Sequence, residues 1–247
     1  MPHSIRRVRH ELKRRTLTVH EVQRLTPHML RLTFQGPELT DFVSAGTDDH
    51  IKLFFPVDGE QEMRDYTPRR FDAASGTLVI DFAVHQAGPA TKWALQARPG
   101  DTLQIGGPRG SLVVDWTFDW WLLIGDETAL PAIGRRLEEA PARTRVITVA
   151  AVPSPEDEQT FETAAEHAAL WVHRPIERAD DPQPLLDALA NVDFPRGEGY
   201  VWIAAEAKVA RAVKAYIRDT RGHPKDWMRA SGYWARGRSD AHVELED

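Results

Sequence analysis

The sequence predicts two domains of different class, an antiparallel β-barrel followed by an α/β domain built on a doubly wound parallel sheet. Three observations carry this. A length of 247 residues suits about two domains of roughly 100–150 residues each. Apolar residues recur with period two up to about residue 115, the mark of half-buried strands. From Trp120 onward short apolar runs alternate with amphipathic stretches, the mark of strand–helix–strand units. The expected boundary lies in "VVDWTFDW", residues 113–120, which gives domains 1–116 and 117–247.

In the first half Leu17, Val19 and Glu21 alternate with more polar neighbours. Leu30, Leu32 and Phe34 share one side of "LRLTF", and Ile51, Leu53 and Phe55 share one side of "HIKLFF". Leu78, Ile80, Phe82 and Val84 repeat the pattern, and Leu103 and Ile105 follow a "PGD" turn. Gly, Pro and Asp divide these stretches, as turns between antiparallel strands require. One segment departs. "PATKWALQA", residues 89–97, has Pro early, helix-forming residues next and "RPG" behind it, which predicts a helix. The expectation is a barrel of about six strands with one helix before the last.

In the second half "WWLLIG", "RVITVAAV", "LWVHR" and "GYVWIAAE" predict buried strands. "ALPAIGRRLEEA", "EDEQTFETAAEH", "PLLDALA" and "AKVARAVKAYIRDT" predict the intervening helices. The chain shows no internal repeat and no low-complexity tract. Near the end, "SGYWARG" sets Tyr233 and Trp234 in a Gly-flanked tail. Pinning the tail to the core and covering a planar ligand are equally open for that pair.

Composition narrows the function classes. Hydrophobic residues make up 42% and charged residues 28%, enough for real cores and a polar surface. The formal net charge of −6 argues against general nucleic-acid binding. No apolar run approaches the ~20 residues of a membrane span. The basic start, "MPHSIRRVRHELKRR", lacks the apolar stretch of a secretory signal and reads as a solvated end before a phosphate clamp. Cysteine is absent, which removes disulfides, thiolate zinc sites and iron–sulfur ligation. A cytoplasmic protein is expected, and any redox chemistry must come from an organic cofactor or a metal on the substrate. The ten histidines form no metal-ligand spacing. "DDH", residues 48–50, comes nearest and reads as a solvated turn, so no stable protein-bound metal is expected.

Five stretches carry chemistry. "MRDYTPRR", residues 63–70, groups three arginines around Tyr66 and Thr67. It is either a charged edge strand or a cradle for a flavin and its pyrophosphate, with Arg64 and Tyr66 on one face and Arg69 presenting a planar fork to phosphate. In "DFAVHQAGPATKWA", residues 81–94, a strand ends, Gly88 allows close approach, and a helix start offers N–H groups suited to phosphate. "GDTLQIGGPRGSL" resembles a phosphate loop, but it lacks the Lys-Ser/Thr ending and reads as a tight turn between barrel strands. "LLIGDETALPAI", residues 122–133, leaves a buried strand through Gly125, Asp126, Glu127 and Thr128. These three polar residues read as a helix N-cap first and a ligand site second, since open α/β sheets bind beyond the carboxyl ends of their strands. In "WIAAEAKVARAVKAYIR" a strand feeds a helix with Glu206 at the switch.

Taken in order, "RDYTPR", "DFAVHQAGPATKWA", "GDTLQIGGPRGS", "GDETALPAI", "IAAEA" and "GYWARG" resemble the siderophore-interacting protein family of FAD-dependent ferric-siderophore reductases, relatives of ferredoxin–NADP reductases. The resemblance covers roughly residues 15–237. It implies a FAD-binding barrel followed by an NAD(P)H-binding α/β domain. It implies that Arg64, Tyr66, Thr67 and Arg69 hold the flavin ring and pyrophosphate, with Tyr66 and Thr67 at the reacting ring. Asp81, Phe82, Val84 and His85 would line the FAD site, and Gly88, Pro89, Ala90 and Thr91 would receive phosphate. Gly125, Asp126, Thr128 and Ala129, with Glu206, would form the nicotinamide side. Tyr233 and Trp234 would sit near the ring face opposite Tyr66. Lys52, and more loosely Arg236, would meet an acidic siderophore. The short acidic tail after Trp234 departs from a complete basic cluster.

The implied chemistry passes electrons from NAD(P)H through flavin to Fe(III) in a chelate, releasing Fe(II). A monomer without membrane or nucleic-acid partners is expected, with reduced ferredoxin as an alternative donor. Arg174, Lys208 and Arg211 are candidates for a 2′-phosphate, though each also fits a surface charge. The competing readings are a general flavin reductase or ferredoxin-linked flavoprotein on the same fold, and a non-enzymatic siderophore-binding carrier.

Overall fold

Period-two patterning in the first half becomes nine strands and a helix: β1 (Ile5–Arg9), β2 (Arg14–Thr26), β3 (Met29–Gln35), β4 (Ile51–Val57), β5 (Glu60–Tyr66), β6 (Arg70–Asp72), β7 (Thr77–Ala83), α1 (Pro89–Gln96), β8 (Thr102–Gly106) and β9 (Gly110–Val114). The computed structural model describes residues 3–57, 59–84, 88–237 and 243–244. The chain divides into two units, Pro2–Asp115 and Trp116–Asp247.

In the first unit seven strands form one antiparallel sheet, ordered β5-β4-β8-β2-β3-β7-β6. β5 and β6 stand at opposite ends of that order, yet only Thr67, Pro68 and Arg69 join them. Such a link spans at most ~14 Å, so the sheet must curl until its two edges approach. The Arg69 N–H donates to the Val79 carbonyl at 2.9 Å and fastens the link to β7. The sheet thus has one strand more than the sequence suggests. β6 is three residues long, too short to display a period.

The alternating residues point inward as expected. Leu17, Val19, Leu30, Leu32, Phe34, Ile51, Leu53, Phe55, Leu78, Ile80, Phe82, Leu103 and Ile105 form one buried cluster. α1 closes it. Ala90 and Ala94 are buried, and Trp93 stacks on Phe34 with ring centroids 6.3 Å apart. Glu21 breaks the expected alternation. A register shift between Val19 and Glu21 changes the phase of β2, so Val22 packs on the core and Glu21 is exposed.

The basic N-terminal segment is not simply a solvated end, because β1 pairs antiparallel with β9 along its whole length. Beside this ribbon lies Asp49, which the sequence places in a solvated turn and the structure buries at 3% exposure. Its Oδ2 accepts from Ser44 Oγ at 2.8 Å, the Gly46 N–H at 3.1 Å and Ser111 Oγ at 2.5 Å. Ser111 spends its single proton on Asp49 and accepts from the Ala45 N–H at 3.0 Å. His10 Nε2, 2.7 Å away, must therefore donate to it. That chain of bonds ties β9, the residue after β1 and the loop before β4 together. Burial raises the Asp49 carboxyl above its ordinary range.

The second unit is the expected alternation of strand and helix: β10 (Trp120–Asp126), α2 (Leu130–Glu138), β11 (Arg145–Val152), β12 (Glu166–His173), α3 (Gln183–Ala190), β13 (Gly199–Glu206), α4 (Ala207–Ala215), β14 (Met228–Trp234) and β15 (Val243–Glu244). Strand order is β12-β11-β10-β13-β14-β15. β10 to β14 pair in parallel and β15 is antiparallel. Two expectations fail. No α-helix spans residues 156–167; Pro155–Asp157 is a single 3₁₀ turn and β12 starts at Glu166. That stretch has too few apolar residues to bury a helical face. "SGYW", read as a Gly-flanked tail, is part of β14, where Ala230, Ser231 and Gly232 are buried.

Gly199 opens β13 beside the indole of Trp120. A Cβ there would lie 2.1–2.3 Å from three ring atoms, and Trp120 is only 3% exposed. Gly199→Ala is expected to cost about 1–3 kcal/mol by overpacking. Urea unfolding checks it, and an unchanged midpoint would show that the indole moves aside freely.

Candidate functional site

In the barrel, the end of β5 and the link after it gather the predicted cofactor residues. β5 runs beside β4 with Tyr66 opposite Ile51, Arg64 opposite Leu53 and Asp65 opposite Lys52. Period two then places Arg64 and Tyr66 on one face and Lys52 with Asp65 on the other. Tyr66 is half-buried, its ring 4.5 Å from that of Phe82. Desolvation drives its phenol well above the ordinary range, against the pull of Arg64, so it stays a neutral O–H donor. Thr67, Pro68 and Arg69 are buried.

Asp81 organises the arginines. It sits directly opposite Arg31 in the β3–β7 pairing and takes that guanidinium bidentately, with both contacts at 2.7 Å. Arg69 Nε approaches its Oδ2 at 3.7 Å. A carboxylate at 1% side-chain exposure is thus met by two cations. Arg31 is missing from the sequence reading because β3 and β7 are not neighbours in the chain. Phe82 is core, and Val84 fixes its backbone on the His28 carbonyl at 2.9 Å. His85 lies outside the described residues.

α1 begins at Pro89 after Gly88, with no side-chain cap. Pro89 has no N–H, so the Ala90 and Thr91 amides are the open donors of the first turn. A Cβ on Gly88 would meet nothing within 4 Å. Space, amides and a helix dipole therefore coincide there.

The cations expected at the substrate, Lys52 and Arg236, and Arg64, expected at the flavin, have carboxylate or carbonyl partners. Lys52 Nζ reaches Asp65 Oδ2 at 2.9 Å. Arg64 donates to Glu62 Oε2 at 2.5 Å and to the Met63 carbonyl at 2.7 Å. Arg236 Nε lies 2.9 Å from Asp180, while its Nη2 donates to the carbonyls of Ile176 and Glu177.

In the second unit the strand order reverses between β10 and β13, so the crevice beyond their carboxyl ends is the switch point. Gly125 makes the close approach possible, since a Cβ would lie 2.4 Å from that of Ala129 and 2.7 Å from the Ala204 carbonyl. Asp126 follows, buried at 1% exposure. Its Oδ1 accepts from Thr128 N at 2.9 Å and Thr128 Oγ1 at 2.5 Å. Its Oδ2 accepts from Glu206 N at 2.8 Å and Trp234 Nε1 at 3.0 Å. Four donors from three segments meet on one carboxylate. Asp126 is not the α2 N-cap that the sequence suggests. It closes a turn ahead of the helix, and Ala129 takes the cap position without a side-chain bond. Glu206 is the capping residue. Its Oε2 accepts from Lys208 N at 2.6 Å and Val209 N at 3.2 Å at the start of α4, and its Oε1 accepts from Arg236 N at 3.3 Å. Tyr233 meets Trp202 edge to face.

Glu127 and Arg174 are the second surprise. Arg174 is not a surface charge. It is 4% exposed, and its Nη2 donates to Glu127 Oε2 at 2.5 Å. Desolvation first and the neighbouring Asp126 second push the Glu127 carboxyl up to about 7, against the pull of Arg174. Between the ordinary 4.5 and about 7, the folded chain holds a proton that the unfolded chain releases. This group's stabilisation is therefore full below 4.5 and lost as pH rises through 7. Glu127→Gln should remove that slope, on the order of 2 kcal/mol, from thermal midpoints measured between pH 5 and 8. A slope equal to that of the parent would assign the dependence to another group.

The chain matches known proteins along nearly its whole length. The model described as siderophore-interacting FAD-binding domain matches residues 18–63 and 60–112, and the model described as siderophore-interacting protein matches residues 118–237. The NADPH-dependent ferric-chelate reductase of Escherichia coli (strain K12) is 33% identical over 94% of this chain and 97% of its own. The ferric vibriobactin reductase ViuB of Vibrio cholerae is 29% identical, covering 87% of each chain. A crystal structure of a siderophore utilization protein from T. fusca superposes with a TM-score of 0.90 at 34% identity, over 96% of this chain and 98% of that one. More distant flavohemoglobin and reductase structures share the fold, at TM-scores of 0.66–0.69. The two family models, matched over most of the chain, and relatives more than 30% identical over nearly its whole length show that this chain belongs to the siderophore-interacting protein family.

Proposed function

We propose that the protein is a FAD-dependent NAD(P)H ferric-siderophore reductase. The observation that carries the reading is the match of a FAD-binding domain model across the barrel, over the same residues that bring Arg69, Tyr66 and the open start of α1 into one unit. The donor set suits the cofactor. A pyrophosphate needs a guanidinium fork and backbone amides. Arg69 and the first turn of α1 supply both, and Gly88 leaves room for the group to approach.

Held by Arg69 and the first turn of α1, FAD would supply the conversion of a two-electron donor, NAD(P)H, to one-electron reduction of ferric iron, which a siderophore holds far more weakly once reduced. The chain's own part is positional. Asp81 neutralises and aims Arg31 and Arg69, so Arg69 meets phosphate from a fixed rotamer. Tyr66, kept neutral by desolvation, offers a ring face and an O–H. Thr67, held in the buried link next to Tyr66, is the hydroxyl that the reading assigns to the flavin ring. In the second unit Gly125, Asp126, Thr128, Ala129 and Glu206 shape the nicotinamide side. Asp126 fixes the turn and the indole of Trp234, and Glu206 fixes the start of α4. Lys52 is the substrate contact. The reading includes a cytoplasmic, monomeric enzyme. No helix among the described residues is long and apolar enough to cross a membrane.

Titration with FAD tests the reading directly. One equivalent should bind and colour the protein yellow, and NAD(P)H should then drive ferrous iron out of a ferric siderophore. Arg69→Ala should weaken FAD on the order of 10-fold. Lys52→Glu should leave FAD uptake intact and raise KM for an anionic ferric chelate. A colourless chain that takes up no FAD would sink the proposal.

A further inference from the structure

A cation recruits an anionic ligand only with charge that its own neighbours leave uncancelled. Lys52 lies directly across the β4–β5 pair from Asp65. Its ammonium is 2.9 Å from Asp65 Oδ2, at side-chain exposures of 36% and 12%. The lysine is the wetter partner, and the carboxylate beneath it is the better buried. Asp65 Oδ1 is buried and has no hydrogen-bond partner, so the ammonium is the group that compensates this acid. The other cation of the pair of strands, Arg64, is spent on Glu62. Together β4 and β5 carry two cations, Lys52 and Arg64, and three carboxylates, Glu60, Glu62 and Asp65. Among the described residues of this hairpin carboxylates outnumber cations, so they give a trianion no net attraction. Arg236, the other residue assigned to substrate, is committed to Asp180 and two backbone carbonyls.

The geometry points to Asp65 as a specificity-determining residue that cancels the charge of Lys52, so that the site takes ferric chelates of low net charge, of the neutral tris-hydroxamate kind, in preference to trianionic tris-catecholates. This rests on Lys52 being the substrate contact of the proposed reductase. The lysine then acts as a hydrogen-bond donor to ligand oxygens and not as a free charge. A trianion must displace Asp65 from it and leave a poorly hydrated carboxylate beside its own negative charge.

Gallium(III) chelates, which NAD(P)H does not reduce, separate binding from turnover. Dissociation constants of a neutral tris-hydroxamate and a trianionic tris-catecholate of gallium would be measured on the FAD-loaded protein by quenching of its tryptophan fluorescence, at low and high salt. The parent protein should bind the neutral chelate more tightly, and added salt should not weaken its binding of the trianion. Asp65→Asn, close to isosteric, should tighten the trianion on the order of 10-fold and make that binding salt-sensitive, with the neutral chelate changed by less than about 2-fold. Tighter binding of the trianion by the parent, or an unchanged ratio in Asp65→Asn, would overturn the assignment. Should Asp65→Asn fold poorly, the parent's preference and salt series decide by themselves. A parent that takes up FAD but binds neither chelate would overturn the substrate site itself, and a parent that takes up no FAD would overturn the reductase reading.

Discussion

The carboxylate of Asp126 is the constraint on which the second unit depends. It is almost completely buried, and an ionised carboxylate can stay so only if donors replace its water. The four it accepts come from its own turn, from the junction of β13 and α4, and from the indole at the end of β14. Removing any one would leave charge uncompensated, so the three segments are held to a common geometry. Those segments surround the switch point of the sheet, where a ligand is expected on topological grounds. Gly125 belongs to the same device. Only a residue without a Cβ lets the strand end lie against Ala129 and Ala204, and that approach sets Asp126 where Glu206 N can reach it.

The barrel uses the same physics with different donors. Asp81 gathers Arg31 and Arg69 from β3 and the β5–β6 link, and Asp49 gathers two serines and a backbone amide below the β1–β9 ribbon. A buried ion pair is weak evidence for stability, because desolvation offsets most of its attraction. Its value here is directional. Arg69 is buried beside Asp81, so little side-chain entropy remains to be lost should a ligand reach it. An exposed arginine at the same place would lose on the order of 1 kcal/mol more in ordering.

The fold was legible where burial obeys a simple period. The inward residues of β2, β3, β4, β7 and β8 could be picked from alternation, and β10, β11 and β13 from their continuous apolar runs. Legibility failed wherever a third element decided the outcome. Glu21 and Val22 exchange roles because of a bulge that no local residue announces. β1 exists because β9 is there to pair with it, and β14 because β13 offers it an edge. Residues 156–167 are rich in helix formers but have no apolar stripe to dock, and propensity without burial does not hold a helix. At the site, the sequence marked which residues gather in each unit but not their partners. Asp65 opposite Lys52, Arg31 opposite Asp81 and Arg174 against Glu127 are all contacts across strands, invisible until the register is known.

Adjacent Asp126 and Glu127 show how register converts two similar acids into different groups. Asp126 accepts from four donors. Glu127, one residue on, points to Arg174 and has few of the donors that would replace its water, so burial and the neighbouring charge drive its carboxyl up to about 7. A raised carboxyl such as that of Glu127 is common at working sites, though structural ion pairs shift groups in the same way. Here geometry separates the two roles. The donors on Asp126 all come from the segments that frame the switch point, whereas Arg174 is the residue after β12, two strands from β10 in the sheet. Asp126 therefore shapes the crevice, and Glu127 ties the turn after β10 to the residue after β12 through Arg174.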